Sequence, residues 1–236
     1  MVRRASAIQY LSEQEWKDSG AKWNKNSLII PNGTDSKRLP EKTFVNDGIH
    51  AVYVGRYEIY QKGLDILFEA IGQIKNELIE KNFHLSMYGV DQEGSVKTMR
   101  ALITQYDIAD IVQIHDAVYG QEKADVLTQA DAFIMTSRFE GLPMGMIEAL
   151  AYGLPVLATQ GTNLADVVEA ADAGWTSDNT VDGVVRMLNA AIMDKDQYKK
   201  KSNNALALSK QYSWEGIAEK THTEYSAILN KPNKSE

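Results

Sequence analysis

Short runs rich in apolar and β-branched residues alternate along this chain with stretches whose apolar positions recur at three- and four-residue spacing. "SLIIP" (27–31), "HAVYVG" (50–55), "FHLSMYG" (83–89), "IVQIH" (111–115), "DAFIMTS" (131–137) and "LPVLAT" (154–159) read as strands. After the second run, Leu64, Leu67, Ile71, Ile74 and Leu78 form one apolar helical stripe. Similar patterns cover about 92–106, 120–130, 143–152 and 163–171. Largely apolar strands alternating with amphipathic helices predict an α/β domain, a Rossmann-like parallel sheet with helices on both faces. From residue 180 onward the pattern is helical, ending in "SWEGIAEKTHTEYSAIL" and a terminus, "KPNKSE", expected to fray. No internal repeat, low-complexity block or proline-rich linker is present.

The opening segment "AIQYLSEQEWKDSGAKW" reads as a strand, a helix and a loop placed before the main series. Ser12 suits the cap of that helix, with Glu15 three positions later completing a capping box. The segment is either a first βα unit or the tail end of another domain.

Composition narrows the chemistry. The 236 residues are 44% hydrophobic and 24% charged with net charge -7, which fits a soluble globular chain. The absence of cysteine excludes disulfides, thiolate metal sites and cysteine nucleophiles, and is compatible with the cytosol. No apolar run approaches the roughly 18–20 residues of a membrane span, and the N-terminus lacks a signal-peptide core. Net acidity argues against a nucleic-acid partner. His50, His84, His115 and His222 have no metal-ligand spacing, and the first three read as structural residues in or beside strands. The one D-x-D, "DKD" at 194–196, lies in a helical region, which makes it a poor metal motif.

Parallel α/β sheets bind ligands outside the carboxyl ends of their strands. The loops after the second and fifth predicted strands are therefore the candidates. In "VGRYEIYQKGLDIL" Arg56 follows directly on Gly55, and Lys62-Gly63 opens the next helix. Two cations six residues apart on such a loop can converge on one anion, notably a diphosphate, although each also reads as a solvated loop charge. In "SRFEGLPMGMIEALAYGLPVLAT" (137–159), "RFEG" makes a turn, and Pro143 suits the first turn of a helix. Backbone N–H groups around Gly141 then form an anion site at the helix N-terminus. Glu140 precedes that terminus and Glu148 lies about two turns inside. Eight positions at about 1.5 Å rise separate the two acids by roughly 12 Å or less, comparable to the hexose-to-ribose span of a nucleotide sugar. The plainer reading makes Glu140 a dipole-favoured acid and Glu148 an exposed helix residue. Met146, Ile147, Ala149 and Leu150 around Glu148 instead suggest a buried helix whose acid needs a partner or ligand.

Four stretches carry a family resemblance: "IIPNGTD", "VYVGRYEIYQKGLDILFEAI", "MTSRFEGLPMGMIEALAYGLPVLAT" and "YSWEGIAEKTHTEY". In this order they are similar to the C-terminal, donor-binding half of a GT-B glycosyltransferase of family 4 (glycosyl transferases group 1). The E-x7-E pattern of that family falls on Glu140 and Glu148. The resemblance implies a retaining transferase in which Arg56 and Lys62 grip the donor diphosphate and, with Glu140, carry catalysis. It places Glu140 on donor-sugar hydroxyls, Glu148 on the ribose, and backbone amides of Gly141, Leu142, Pro143 and Met144 in the sugar and phosphate cradle. The base would meet backbone groups of Ala117 and Val118.

The same resemblance implies a UDP- or GDP-sugar substrate, no metal and no other cofactor. It also implies a saccharide or lipid-linked acceptor held by an N-terminal domain missing from this chain, which alone would be inactive. The expected layout is 1–30 as a remnant of that domain and linker, 31–211 as the nucleotide-sugar-binding domain, and 212–236 as C-terminal helix and tail. A cytoplasmic location follows, with peripheral attachment to the inner face of the membrane for a full-length enzyme with a lipid-linked acceptor. Two features depart from the family pattern: "YGVDQEG" keeps only Gly89, and "QGTNLADVV" has Gly161 followed by Thr162 where paired glycines are usual. The competing readings are a GT-B-like nucleotide-sugar epimerase and a non-catalytic nucleotide-sugar-binding subunit.

Overall fold

A computed structural model describes residues 5–19, 24, 26–35, 42–44 and 48–230. Strand β1 (Ile8–Tyr10), helix α1 (Glu13–Ser19) and strand β2 (Ser27–Ile29) form the first unit, with β1 and β2 paired in parallel. The Ser12 cap is present, but the Glu15 side chain reaches past it. Ser12 Oγ accepts from the Glu15 N–H at 3.0 Å, and Glu15 Oε2 accepts from the Leu11 N–H at 2.6 Å, one residue before the cap. "SLIIP" therefore belongs to this two-stranded sheet and not to the main one. The "KPNKSE" tail lies outside the described residues.

The main sheet has six parallel strands: β3 (Ile49–Val54), β4 (Phe83–Tyr88), β5 (Val112–His115), β6 (Ala132–Met135), β7 (Val156–Thr159) and β8 (Gly174–Ser177). Their spatial order is β5-β4-β3-β6-β7-β8. The chain winds outward from β3 to β5, returns to lay β6 beside β3 with Ala51 opposite Ala132, then winds outward the other way. This doubly wound order creates a crevice at the carboxyl ends of β3 and β6.

Helices α2 (Leu64–Gln73), α3 (Lys75–Glu80), α4 (Ser95–Gln105), α5 (Gly120–Gln129), α6 (Met144–Ala151), α7 (Ala165–Ala170), α8 (Val181–Met193), α9 (Tyr198–Ser209) and α10 (Trp214–Leu229) complete the fold. Strand residues alternate between two cores. Ala51, Tyr53, Ile134 and Leu157 pack with α2 and α8, whereas Val52, Phe133, Met135 and Val156 pack with α6 and α9. This period-two alternation of apolar residues buries both faces, as a parallel sheet requires.

The structure differs from the sequence pattern in two further places. The stripe from Leu64 to Leu78 is two helices, because Ile74 leaves helical geometry at φ -117° and ψ 28°. Strand β8 ("GWTS") was not expected, since four residues opening on glycine carry no alternation signal. Its glycine is required by the pairing: a Cβ on Gly174 would stand 1.9 Å from the Val156 carbonyl oxygen.

Candidate functional site

The loops leaving β3 and β6 meet at the crevice through close backbone contacts. Gly63, just before α2, adopts φ +62°, and a Cβ there would lie 2.1 Å from the Thr136 carbonyl oxygen. Glycine alone permits both the left-handed backbone and this approach. Thr136 Oγ1 lies 3.1 Å from the carbonyl oxygens of Lys62 and Gly63, and the Arg138 N–H donates to the Gln61 carbonyl at 2.8 Å.

This seam brings two of the expected residues together. Lys62 Nζ lies 2.6 Å from Glu140 Oε1, and each side chain is 9% exposed. Ser137 Oγ donates to the same carboxylate oxygen at 2.7 Å. Glu140 Oε2 receives no hydrogen bond among the described residues. The cost of burying each charge is offset by the other.

The turn carrying Glu140 is held from two further strand ends. Thr159 Oγ1 and Asn179 Nδ2 donate to the Ser137 carbonyl at 2.9 and 2.7 Å, and Asn163 Nδ2 donates to the Glu140 carbonyl. Asn179 Oδ1 also accepts from the Gly161 N–H at 2.8 Å. Gly161 lies in a tight 3-10 turn, Gln160–Thr162, and a Cβ on it would lie 2.2 Å from the Arg138 carbonyl oxygen. Gly89 is equally constrained, its missing Cβ lying 2.0 Å from the Gly55 carbonyl oxygen.

Glu148 departs from expectation in two respects. It is the fifth residue of α6, little more than one turn inside, and its side chain is 29% exposed. Its partner is Lys123 on α5, whose Nζ donates to Oε1 and Oε2 at 2.9 Å each. The apolar flanks of Glu148 thus signal a packed helix, but its charge is already answered within the protein. Lys123 had a sequence signal: it is the only cation in α5 and sits near the helix's positive end, where the dipole disfavours it.

Arg56 and Lys62 are not gathered into one cluster. Arg56 is exposed, with Nη1 3.3 Å from Gln92 Oε1, whereas Lys62 is buried against Glu140. The Arg56 carbonyl accepts from the Tyr53 hydroxyl at 2.7 Å. Burial, reinforced by the charge of Glu140, pushes the Tyr53 pKa well above the usual tyrosine range, so it remains a donor.

The N–H groups of Gly141, Leu142, Met144 and Gly145 make no hydrogen bond among the described residues, and α6 has no side-chain cap. Pro143 has no N–H and contributes only its carbonyl, which accepts from Met146 and Ile147 at 3.0 and 3.1 Å. Ala117 and Val118 lie between β5 and α5, half-buried and buried, with backbone groups likewise unpaired among the described residues. Arg138, not anticipated from the sequence, bridges the loops: it forks onto Asp65 at 2.7 and 2.8 Å, donates to the Tyr60 carbonyl and lies 4.5 Å over the Tyr60 ring. Its fork with Asp65 raises the Arg138 pKa further. A cleft of about 400 Å³ beside α1 and α7 reaches the crevice only at Leu142 and Asn163.

The profile of glycosyl transferases group 1 matches residues 35–207, most of the chain and all of the crevice. The chain belongs to this family. Among curated members it is 30% identical over 121 residues to the putative colanic acid biosynthesis glycosyltransferase WcaL of Escherichia coli K12, covering 49% of this chain and 29% of that protein. It is 25% identical to an uncharacterized glycosyltransferase of Haemophilus influenzae, covering 97% and 62%. The aligned segment is thus less than two thirds of either relative's length.

Among solved structures, sucrose-phosphate synthase from Thermosynechococcus elongatus superposes with TM-score 0.79 at 20% identity, over 97% of this chain and 59% of that one. Anabaena HepE in complex with UDP and glucose gives 0.77 at 19%, over 94% and 64%. The likeness establishes the fold, that of GT-B glycosyltransferases. Among the described residues, no helix is long and apolar enough to cross a membrane.

Proposed function

We propose that this family member is the donor-binding half of a retaining, family 4 glycosyltransferase. It binds a nucleoside diphosphate sugar in the crevice between β3 and β6 for transfer to an acceptor held by an N-terminal domain. The observation that carries the reading is the pairing of Lys62 with Glu140 across the two loops of the switch point, 2.6 Å apart and buried, with Glu148 one helix turn further on. A structural ion pair alone does not call for unpaired backbone N–H groups beside it, and Gly141, Leu142, Met144 and Gly145 supply them.

In this reading Glu140 Oε2, unspent on the protein, accepts hydrogen bonds from donor-sugar hydroxyls. Lys62 lies between sugar and diphosphate. Exposed Arg56 swings from Gln92 to complete the phosphate grip, and the two cations meet the charge that develops on the departing diphosphate without a metal ion. Ala117 and Val118 offer backbone groups to the base, and Glu148 faces the ribose. UDP- or GDP-sugars are the proposed donors and a saccharide or lipid-linked acceptor the partner. The UDP-bound HepE neighbour supports the nucleotide class by fold alone. The proposed site of action is cytoplasmic.

Calorimetric titration with UDP, GDP and ADP, on the native chain and on Glu148→Ala, tests this. Binding of one nucleotide, weakened at least tenfold by the substitution, is expected. Nucleotide binding that survives Glu148→Ala and Arg56→Ala unchanged would place the donor elsewhere.

A further inference from the structure

Lys123 stands outside every role assigned so far, yet it makes the closest contact to Glu148. Its ammonium is equidistant from the two carboxylate oxygens, 2.9 Å from each. An ammonium has three N–H donors, and two are spent here. The third donates to nothing among the described residues. Each carboxylate oxygen has two lone pairs and accepts only one described hydrogen bond, so one remains on each. Both side chains are about one third exposed, so a ligand in the crevice can reach them. Helix α5 follows the loop that contains Ala117 and Val118, and α6 follows the turn that contains Glu140. The pair therefore spans the two segments between which a nucleoside would lie.

We infer that Lys123 and Glu148 act together as a donor–acceptor clamp for the ribose hydroxyls, making Lys123 a specificity-determining residue for ribonucleotides. This rests on the donor-site reading above. The chemical fit lies in the hydroxyl group, which both donates and accepts. Each hydroxyl gives its proton to a free lone pair of Glu148, and one accepts the remaining N–H of Lys123. A 2′-deoxy sugar leaves part of this set unpaired, and sites built around a hydroxyl reject the analogue that lacks it. A glutamate alone offers only acceptors. The lysine also holds the carboxylate in one orientation before the ligand arrives, reducing what must be ordered on binding.

The test is calorimetric titration of the full chain with UDP, GDP and ADP and their 2′-deoxy forms, on native protein, Lys123→Met, Lys123→Gln and Glu148→Ala. The native chain is expected to favour the ribo form of the bound nucleotide by roughly tenfold or more, the scale of one charged hydrogen bond. In Lys123→Met the ribo-to-deoxy ratio should fall toward one, and Lys123→Gln, which keeps an N–H donor, should restore part of it. A merely structural lysine would weaken both forms equally, so an unchanged ratio in Lys123→Met overturns the clamp. If the ratio also collapses in Glu148→Ala, the donor-site reading stands without it. No preference in the native chain likewise overturns the clamp, and no binding of any diphosphate overturns both readings. The ratio compares two ligands on one variant, so reduced stability of that variant does not mimic the effect.

Discussion

Glu140 and Glu148 each hold a lysine, Glu140 with both partners 9% exposed and Glu148 with both about 30% exposed. Glu140 sits in a turn tied down by Ser137, Thr159, Asn163 and Asn179, and one of its oxygens takes two donors. Glu148 sits on a helix flank and shares one ammonium evenly. The first pair is bound up with the seam between the β3 and β6 loops, so removing it disturbs the fold. The second pair links two helices that contribute to one hydrophobic core, and it leaves polar capacity for a ligand.

The largest expected effect breaks the buried pair. Lys62→Met leaves the Glu140 carboxylate desolvated without its cation, a loss of about 3–5 kcal/mol by urea denaturation. Adding Glu140→Gln to that variant should recover part of the loss. A cost below about 1 kcal/mol would put the buried pair in the class of exposed ones and erase the contrast.

Next comes Gly63→Ala, which forces a left-handed backbone costing about 1–2 kcal/mol and adds the contact with the Thr136 carbonyl. Thermal melting should register it, together with weakened nucleotide binding as the two loops part. Lys123→Met should cost only about 0–1 kcal/mol of stability, since its partner keeps access to water. A larger loss in the same melting experiment would make the Lys123 pair a folding element like its neighbour.

A fourth contrast is silent at neutral pH. At the far end of α5 from Lys123, Lys42 donates to the carbonyls of Leu127, Thr128 and Ala130, and burial lowers its pKa from 10.5 to about 8, with Asp131 opposing part of the shift. Between about pH 8 and 10.5 the folded chain then binds fewer protons here than the unfolded one. Stability is therefore expected to rise with pH through that window. In Lys42→Met this contribution to the rise should vanish in denaturation curves recorded across it.

Much of the fold was readable from periodicity. The alternation of "HAVYVG", "DAFIMTS" and "LPVLAT" with amphipathic stretches gave strands in nearly the expected places, because a sheet buried on both faces needs apolar residues throughout. Strand β8 was not readable, since its place depends on how closely Gly174 approaches Val156. The break at Ile74 was masked because its side chain still falls on the apolar stripe. At the site, Glu140, Glu148, Arg56 and Lys62 stood out by type and spacing. Arg138, Asn163 and Asn179 did not, and Lys123 showed only as a cation near the positive end of α5, because each takes its role from a partner far along the chain.

What the chain determined locally was most of its strands and helices, the Ser12 cap and the residues able to carry charge into a crevice. Only the tertiary structure decided the order of the strands and which charges meet. Lys62 finds Glu140 across 78 positions and Lys123 finds Glu148 across 25. The physical reason is that periodicity records which face of an element is buried, whereas an ion pair depends on which two elements the crossovers bring side by side.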